Sequence, residues 1–263
     1  MKIINSKNLK FIFYIISISM FIIIQLKSTA NEEVKTIRVG IFNAPPLTFE
    51  NESHEIKGSV VDFYKNYVFN NMPYKFTFEI LPYPRLLDEA EKGNIDIIAM
   101  TGKDKVKRKI IVGNSVIFKT KNYLITRKDF PYNKITSVEQ IKNYTIWLKK
   151  EGSLCAFIAN NLDKLKTDIP AGDNSLELVS KKLFSNRVDA IYGYSILPPL
   201  YFLKKEDKEH LIKLVELPGD EVKVYAGYSE KLPKNFIEQV EKQIQSHSHI
   251  KQASINKMII NHK

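Results

Sequence analysis

Residues 93–118 read GNIDIIAMTGKDKVKRKIIVGNSVIF, and the organisation of the chain follows from them. Gly93 closes an amphipathic run and can take the left-handed conformation that ends a helix. Ile95 to Met100 is almost unbroken apolar sequence, the pattern of a parallel strand covered on both faces. Ligands of open α/β sheets sit beyond the carboxyl ends of the strands. That rule puts Thr101, Gly102 and the Lys-rich turn up to Arg108 on a binding edge.

A second, degenerate copy of the unit lies at residues 175–195. SLELVSKKLFSNRVDAIYGYS repeats the order of RLLDEAEKGNIDIIAMTG, with Asn186 standing where Gly93 stood. Asn is the next choice after Gly for a left-handed helix stop. Two such helix–strand units predict two similar α/β lobes.

Within the 263 residues, the first thirty have the layout of a secretory signal peptide: basic MKIINSKNLK, apolar FIFYIISISMFIII, then Ser28-Thr29-Ala30. At ~1.5 Å per residue the apolar run 11–24 reaches about 21 Å, short of the ~30 Å hydrocarbon core. Cleavage after residue 30 and a periplasmic location are therefore expected. No Cys follows the run, so anchoring through an N-terminal lipidated Cys is not.

The formal charge is +11, of which four units belong to lysines of the leader. The rest is spread along the chain, without the basic helix or aromatic–basic alternation of nucleic-acid binders. A solvated basic surface follows, one that favours anionic small molecules or an acidic partner. Cys155 is the single cysteine, so an exported form has no internal disulfide; its apolar neighbours predict a buried, inert thiol.

From Thr36 to Phe42 the sequence alternates as a first strand, broken by Asn43-Ala44-Pro45-Pro46. After a polar loop, Ser59 can cap a helix in VVDFYKNYVFNN. YKFTFEIL is a strand, and Pro82-Tyr83-Pro84 turns into the helix RLLDEAEKG. VIFKTKNYLIT (116–126) is a candidate crossing strand between lobes, and EVKVYAGYS a candidate return crossing. Between them come a short helix near Ser137, the strand TIWLKK, and a Gly152-Ser153 turn opening into the helix LCAFIANNLDKL. Such a turn aims backbone N–H groups outward, which suits an anion or serves as a plain cap. Further on, ILPPLYFLKK reads as a helix and LIKLVELPG as a strand; the tail reads as two helices with the loop SHSH between them. The expected boundaries are 31–119 for the first lobe, 120–218 for the second, and 219–263 for the return crossing and closing helices.

Motifs of nucleotide binding, hydrolase elbows, zinc proteases and paired cysteines are missing from the sequence. His247 and His249 do not complete a metal site. His54 lies in the Glu-rich loop ENESHE, where weak metal contact is conceivable. The expectation is a binding protein without cofactor or metal rather than an enzyme.

Over residues 36–260 the chain resembles the bacterial extracellular solute-binding proteins of the polar amino-acid class, which serve ABC importers. The resemblance is carried by VGIFNAPPLTFENESHEIKGSVVDFY, LPYPRLLDEAEKGNIDIIAM, Arg108 twelve residues after Asp96, SNRVDAIYG and the closing helices. It implies a type II fold of two lobes joined by two crossing strands. It also implies a membrane permease as partner, a monomer, and a ligand that stabilises the closed form through better contacts there. Arg108 then pairs with a ligand carboxylate, the task of a planar bidentate donor. Gly152 and Ser153 resemble the anion-contacting turn of the second lobe. Thr101 adds a donor, while Asn43, Phe49, Tyr83 and Tyr194 line the wall. Lys103 and Lys105 replace the family's small hydroxyl residues, and Leu47 its aromatic after the first strand's Pro. Tyr194 stands where amino-acid binders carry an Asp for the ligand ammonium, so either another acid such as Glu221 substitutes or the ligand lacks that group. Asp62, Asp96 and Asp189 are assigned to structure. Two rival readings are a cyclohexadienyl dehydratase-like enzyme on the same scaffold, needing a cleft acid for proton transfer, and a sensor for a membrane receptor.

Overall fold

The computed structural model describes residues 35–103, 109–149, 154–170, 176–193 and 196–260. Lys35 and Pro73–Lys75 group together, and there the Lys75 amide donates to the Lys35 carbonyl at 3.2 Å. The described residues of 36–72 and 76–260 form the other compact unit, which holds two large β-sheets and a two-stranded one.

The first sheet is built on β1 (Thr36–Ile41), β4 (Lys75–Ile80), β5 (Ile97–Thr101), β6 (Ile110–Val112) and β13 (Val222–Ser229), in the order β4-β1-β5-β13-β6. β1 and β5 run parallel, with Val39 opposite Ile97, and all five residues of β5 are buried. Two short strands, β2 (Phe49–Glu50) and β3 (Ile56–Lys57), pair as a hairpin after β1. α1 (Ser59–Phe63) continues as a π-turn to Val68, and α2 (Tyr83–Lys92) covers the sheet with Leu86, Leu87 and Ala90.

The second sheet combines β8 (Tyr123–Arg127), β9 (Thr145–Leu148), β10 (Lys166–Asp168), β11 (Ala190–Tyr192) and β12 (Ile212–Glu216), in the order β10-β9-β11-β8-β12. Its core joins Leu124, Ile146, Leu148, Tyr192 and Val215 to Ile158 of the short α3 (Ala156–Ala159). α4 (Leu176–Phe184) and α5 (Leu197–Lys205) flank β11 in sequence. Each buried Leu or Ile contributes ~1.5–3 kcal/mol, so each sheet carries its own core. This is the expected two-lobed α/β fold, and the chain passes twice between the lobes.

Both helix–strand units end alike. Gly93 sits at φ 77 with Asn94 N–H donating to Glu89 O (2.8 Å) and Gly93 N–H to Ala90 O (3.1 Å). Asn186 sits at φ 57, with Arg187 N–H donating to Lys182 O (2.9 Å) and Asn186 N–H to Leu183 O (3.3 Å). Both are Schellman stops, which satisfy the last helical carbonyls.

Four local expectations are corrected. The cap of α1 is Gly58, at φ 128, not Ser59; the Ser59 hydroxyl instead accepts from the Lys251 ammonium at 2.6 Å. The tail is one helix, α6 (Lys234–Ile260), and not two. No Gly or Pro interrupts SHSH, so His247 and Ser248 turn their side chains back onto the Gln243 and Gln245 carbonyls and the helix runs through. LCAFIANNLDKL keeps only the single turn of α3 and a 3-10 turn at Leu162–Lys164; the Asn161 amide competes by donating to Phe157 O (2.8 Å). VIFKTKNYLIT is split into β7 (Phe118–Thr120) and β8 by Lys121 and Asn122.

α6 packs on α1, its π-turn and β7, burying Phe236, Val240, Ile244, Lys251 and Ile255. Glu241 on this helix pins the chain between β6 and β7. Its carboxylate accepts from the Asn114 and Ser115 amides at 2.8 and 2.7 Å and from the Tyr228 hydroxyl at 2.5 Å. Burial pushes the Tyr228 phenol well above its ordinary range.

Candidate functional site

The carboxyl ends of β1 and β5 meet at the first residue of α2. The Tyr83 hydroxyl lies 2.7 Å from Thr101 Oγ1, and the Tyr83 ring packs edge-on against Phe42 with centroids 5.2 Å apart. Thr101 is buried and registers with Tyr225 on β13. Beyond it, Lys103 Nζ stands 4.8 Å from the centre of the Tyr225 ring and 3.4 Å from Asn114 Oδ1. A cation over an aromatic face gains ~0.5–2 kcal/mol, more as water is excluded. The first lobe thus offers a polar–aromatic edge made of Phe42, Tyr83, Thr101, Lys103 and Tyr225. Phe42 and Tyr225 were absent from the sequence-derived set. Their signal was the alternation that runs through β1 to Phe42 just beyond it and along β13.

Among the remaining expected residues, Asn43 is exposed just after β1, and Leu47 is buried in the core. Phe49 is half-buried, its ring 6.0 Å from that of Tyr201 on α5 of the second lobe. Arg108, Gly152, Ser153 and Tyr194 lie outside the described residues, as does Lys105. In the sequence Tyr194 comes two residues after β11, Ser153 three residues before α3, and Arg108 seven residues after β5 and two before β6. Glu221 is not a free acid: its carboxylate is held by Lys119 Nζ at 2.7 Å.

Asp96 and Asp189 are structural, as expected. Asp96 accepts from the Arg38 amide, and Asp189 from the Thr145 amide. The His54 ring contacts the Glu50 carboxylate in the exposed hairpin. Cys155 is half-buried at the cap of α3. Among the described residues no group of three or more His, Cys, Asp or Glu could hold a metal ion.

The two passages between the lobes pair with each other. β7 and the first half of β13 form an antiparallel ladder, Phe118 opposite Val224 and Thr120 opposite Val222. Beyond the ladder, Leu217 N–H donates to Asn122 O at 2.9 Å, and Asn122 Nδ2 donates to Asp220 O at 3.2 Å. Lys121 reaches both Glu216 oxygens at 2.9 Å; this contact holds the Glu216 carboxyl below and the Lys121 ammonium above their ordinary values. Gln252 of α6 braces the ladder from outside, accepting from Lys119 N–H (2.8 Å) and donating to Lys119 O (3.0 Å). Two short paired segments between two separately packed sheets concentrate rotation in a few residues, the architecture of a hinge.

A two-lobed α/β protein whose lobes are joined by a double crossing has the type II periplasmic binding protein fold. The chain belongs to the bacterial extracellular solute-binding proteins, family 3, whose model matches residues 37–216. Solved structures share the fold at low identity. An ancestral cationic amino acid solute-binding protein is similar at TM-score 0.65 and 17% identity, covering 86% of this chain and 95% of that one. A substrate-binding protein of an ABC uptake transporter from Streptococcus pneumoniae, with bound histidine, is similar at TM-score 0.64 and 15% identity, covering 86% and 92%. A putative L-cystine ABC transporter protein from Listeria monocytogenes is similar at 0.59 and 21%, covering 81% and 90%. No curated protein matches the chain.

Proposed function

We propose that the protein captures a small, carboxylate-bearing organic solute between its lobes and delivers it, as an exported monomer, to a membrane ABC permease. The observation that carries this reading is the paired double crossing in a chain of this family. A ligand bridging both lobes favours the closed arrangement by its extra contacts there, and the permease distinguishes closed from open. Residues 31–119 and 219–263 form one jaw and 120–218 the other, with 1–30 as the export leader.

Arg108 is the charge anchor, supported by Thr101, Gly152 and Ser153, with Asn43, Phe49, Tyr83 and Tyr194 on the wall. Histidine and cystine, named for the solved relatives, share an α-carboxylate. A guanidinium anchor suits that group whatever the side chain. Tyr194 replaces the acid expected for an ammonium, and Glu221 is engaged by Lys119. Both facts favour a ligand whose negative charge dominates.

The test is a thermal-shift screen of amino acids and dicarboxylates, followed by small-angle scattering with the best compound. Binding should raise Tm and shrink the radius of gyration, and Arg108→Ala should abolish both effects with the apo fold intact. A compound that raises Tm equally in Arg108→Ala removes Arg108 from the site. A Tm shift with no contraction removes the hinge.

A further inference from the structure

On the polar–aromatic edge of the first lobe, one charge has no opposite charge beside it. Lys103 follows the end of β5 by two residues and is exposed, so a solute can reach it. Its ammonium contacts two neutral groups, the Tyr225 ring at 4.8 Å from the centroid and Asn114 Oδ1 at 3.4 Å. No carboxylate among the described residues pairs with it.

Both neutral partners are fixed in place. Tyr225 is buried on β13 and stands opposite Thr101 of β5, so the two side chains leave the sheet on one face. The Asn114 amide donates to Glu241 Oε2 of α6 at 2.8 Å. Glu241 itself is committed, since the Ser115 amide and the Tyr228 hydroxyl also donate to its carboxylate. An ammonium has three N–H donors; Asn114 accepts one, and the ring attracts the charge without neutralising it. Phe42, Tyr83 and Thr101 are uncharged. The described part of the edge therefore carries one positive charge and no acid.

We infer that Lys103 is a specificity-determining residue that makes the first lobe select small dicarboxylates, acidic amino acids included, over basic solutes; this rests on the solute-capture reading above. Specificity is a difference between two affinities, and a fixed charge enters it with opposite signs. A second carboxylate gains a cationic donor, a cationic side chain meets repulsion at the same place, and an amide of equal shape gains neither. Excluding water as the lobes close lowers the local dielectric and widens the difference. The ring and the amide hold the ammonium before a solute arrives, so less side-chain freedom is lost on binding. A lysine that only covered Tyr225 would alter stability and leave the ranking of solutes as it is.

Calorimetric titration of L-glutamate, L-glutamine and L-arginine into wild type and variants tests this. Glutamate and glutamine differ by carboxylate against amide, so the ratio of their Kd values reads charge at nearly constant shape. Succinate and succinamate form a second such pair without the ammonium. Wild type should bind the dicarboxylate of at least one pair about tenfold or more tighter than its amide, with arginine weaker than either amino acid. Lys103→Met should bring that ratio to within about threefold of one, and Lys103→Arg should keep it. Lys103→Gln keeps a polar group beside Asn114 without the charge; it should match Lys103→Met and replaces it if that variant does not fold. A ratio near one in wild type, or one unchanged in the neutral variants, overturns the assignment and leaves solute capture standing. If wild type binds none of the five compounds, solute capture of this class fails and the selectivity of Lys103 falls with it.

Discussion

Asp96 and Asp189 do the same job in the two lobes. Each carboxylate accepts a backbone amide at 2.8 Å, from Arg38 and Thr145 respectively, and each aspartate's own N–H donates back to that residue's carbonyl, at 2.9 and 2.8 Å. An arginine completes both: Arg38 Nη2 donates to Gly93 O at 2.6 Å, and Arg127 Nη1 donates to Leu183 O at 2.8 Å and Val188 O at 3.0 Å. The strand following each Schellman stop is thereby locked to its parallel neighbour. Asp96→Ala and Asp189→Ala should each cost ~1–3 kcal/mol, because an amide is left without its acceptor. Urea denaturation measures this, and a loss below about 0.5 kcal/mol would show that water replaces the carboxylate.

Lys251 is 2% exposed and donates to Ser59 at the start of α1. Burial lowers its pKa to about 7 from the ordinary 10.5, opposed by the charge of Asp62. The Phe118 ring of β7 lies 5.9 Å from its nitrogen. Between about pH 7 and 10.5 the unfolded chain holds a proton that the folded chain lacks, so stability rises with pH across that window. Below about pH 7 the fold carries the whole cost of a buried charge. Lys251→Met should therefore stabilise the protein by about 1–3 kcal/mol at pH 6 and flatten the slope above neutrality. Melting curves from pH 6 to 10 check it; an unchanged slope in the variant assigns the pH dependence elsewhere.

Two glycines separate strain from crowding. Gly58 (φ +128) turns the β2–β3 hairpin into α1, and a Cβ there would lie 2.3 Å from the Leu47 carbonyl oxygen. Gly219 (φ +124), in the return crossing, has nothing within 4 Å of the same position. Gly219→Ala should cost only the backbone strain, ~1–3 kcal/mol, and Gly58→Ala distinctly more. Equal losses in chemical denaturation would mean that the loop beside Leu47 yields.

Glu216 ties the end of β12 to Lys121 in the first crossing, and Lys134 approaches it at 3.6 Å. The depressed Glu216 pKa contributes stability above the unfolded value of 4.5, which is lost as pH falls through the lower folded value. Glu216→Gln should cost ~0.5–1 kcal/mol at pH 7 and low salt. The difference from wild type should shrink in high salt and in acid. A deficit that persists in 1 M salt, where screening acts over about 3 Å, would show that hydrogen bonding rather than charge matters there.

Much of this architecture was legible in the chain. Gly93 and Asn186 announced the two helix stops because left-handed backbone is a local property of a residue. The buried runs of β5 and β11 followed from hydrophobic pattern, and Asp96 and Asp189 from their place before those strands. The hinge details were less visible. Lys121 and Asn122 interrupt an apolar run without any breaker residue, and their bonds go to Glu216, Leu217 and Asp220, about a hundred residues later in sequence. The continuous α6 was equally hidden, since Ser-His-Ser-His has modest helix propensity and its helicity comes from packing on α1 and β7.

Periodicity, helix stops and charge are carried by neighbouring residues, so the sequence by itself determined two repeated α/β units and the strand ends at which the polar–aromatic edge of the first lobe lies. Which side chains share that edge was a matter of register: only the pairing of β13 with β5 sets Tyr225 against Thr101, under Lys103. The same holds for Tyr192, an unremarkable strand residue until folding sets its hydroxyl between Cys155 and Asn122. Contacts between residues far apart in sequence are fixed by how the sheets assemble, and no local pattern encodes that choice.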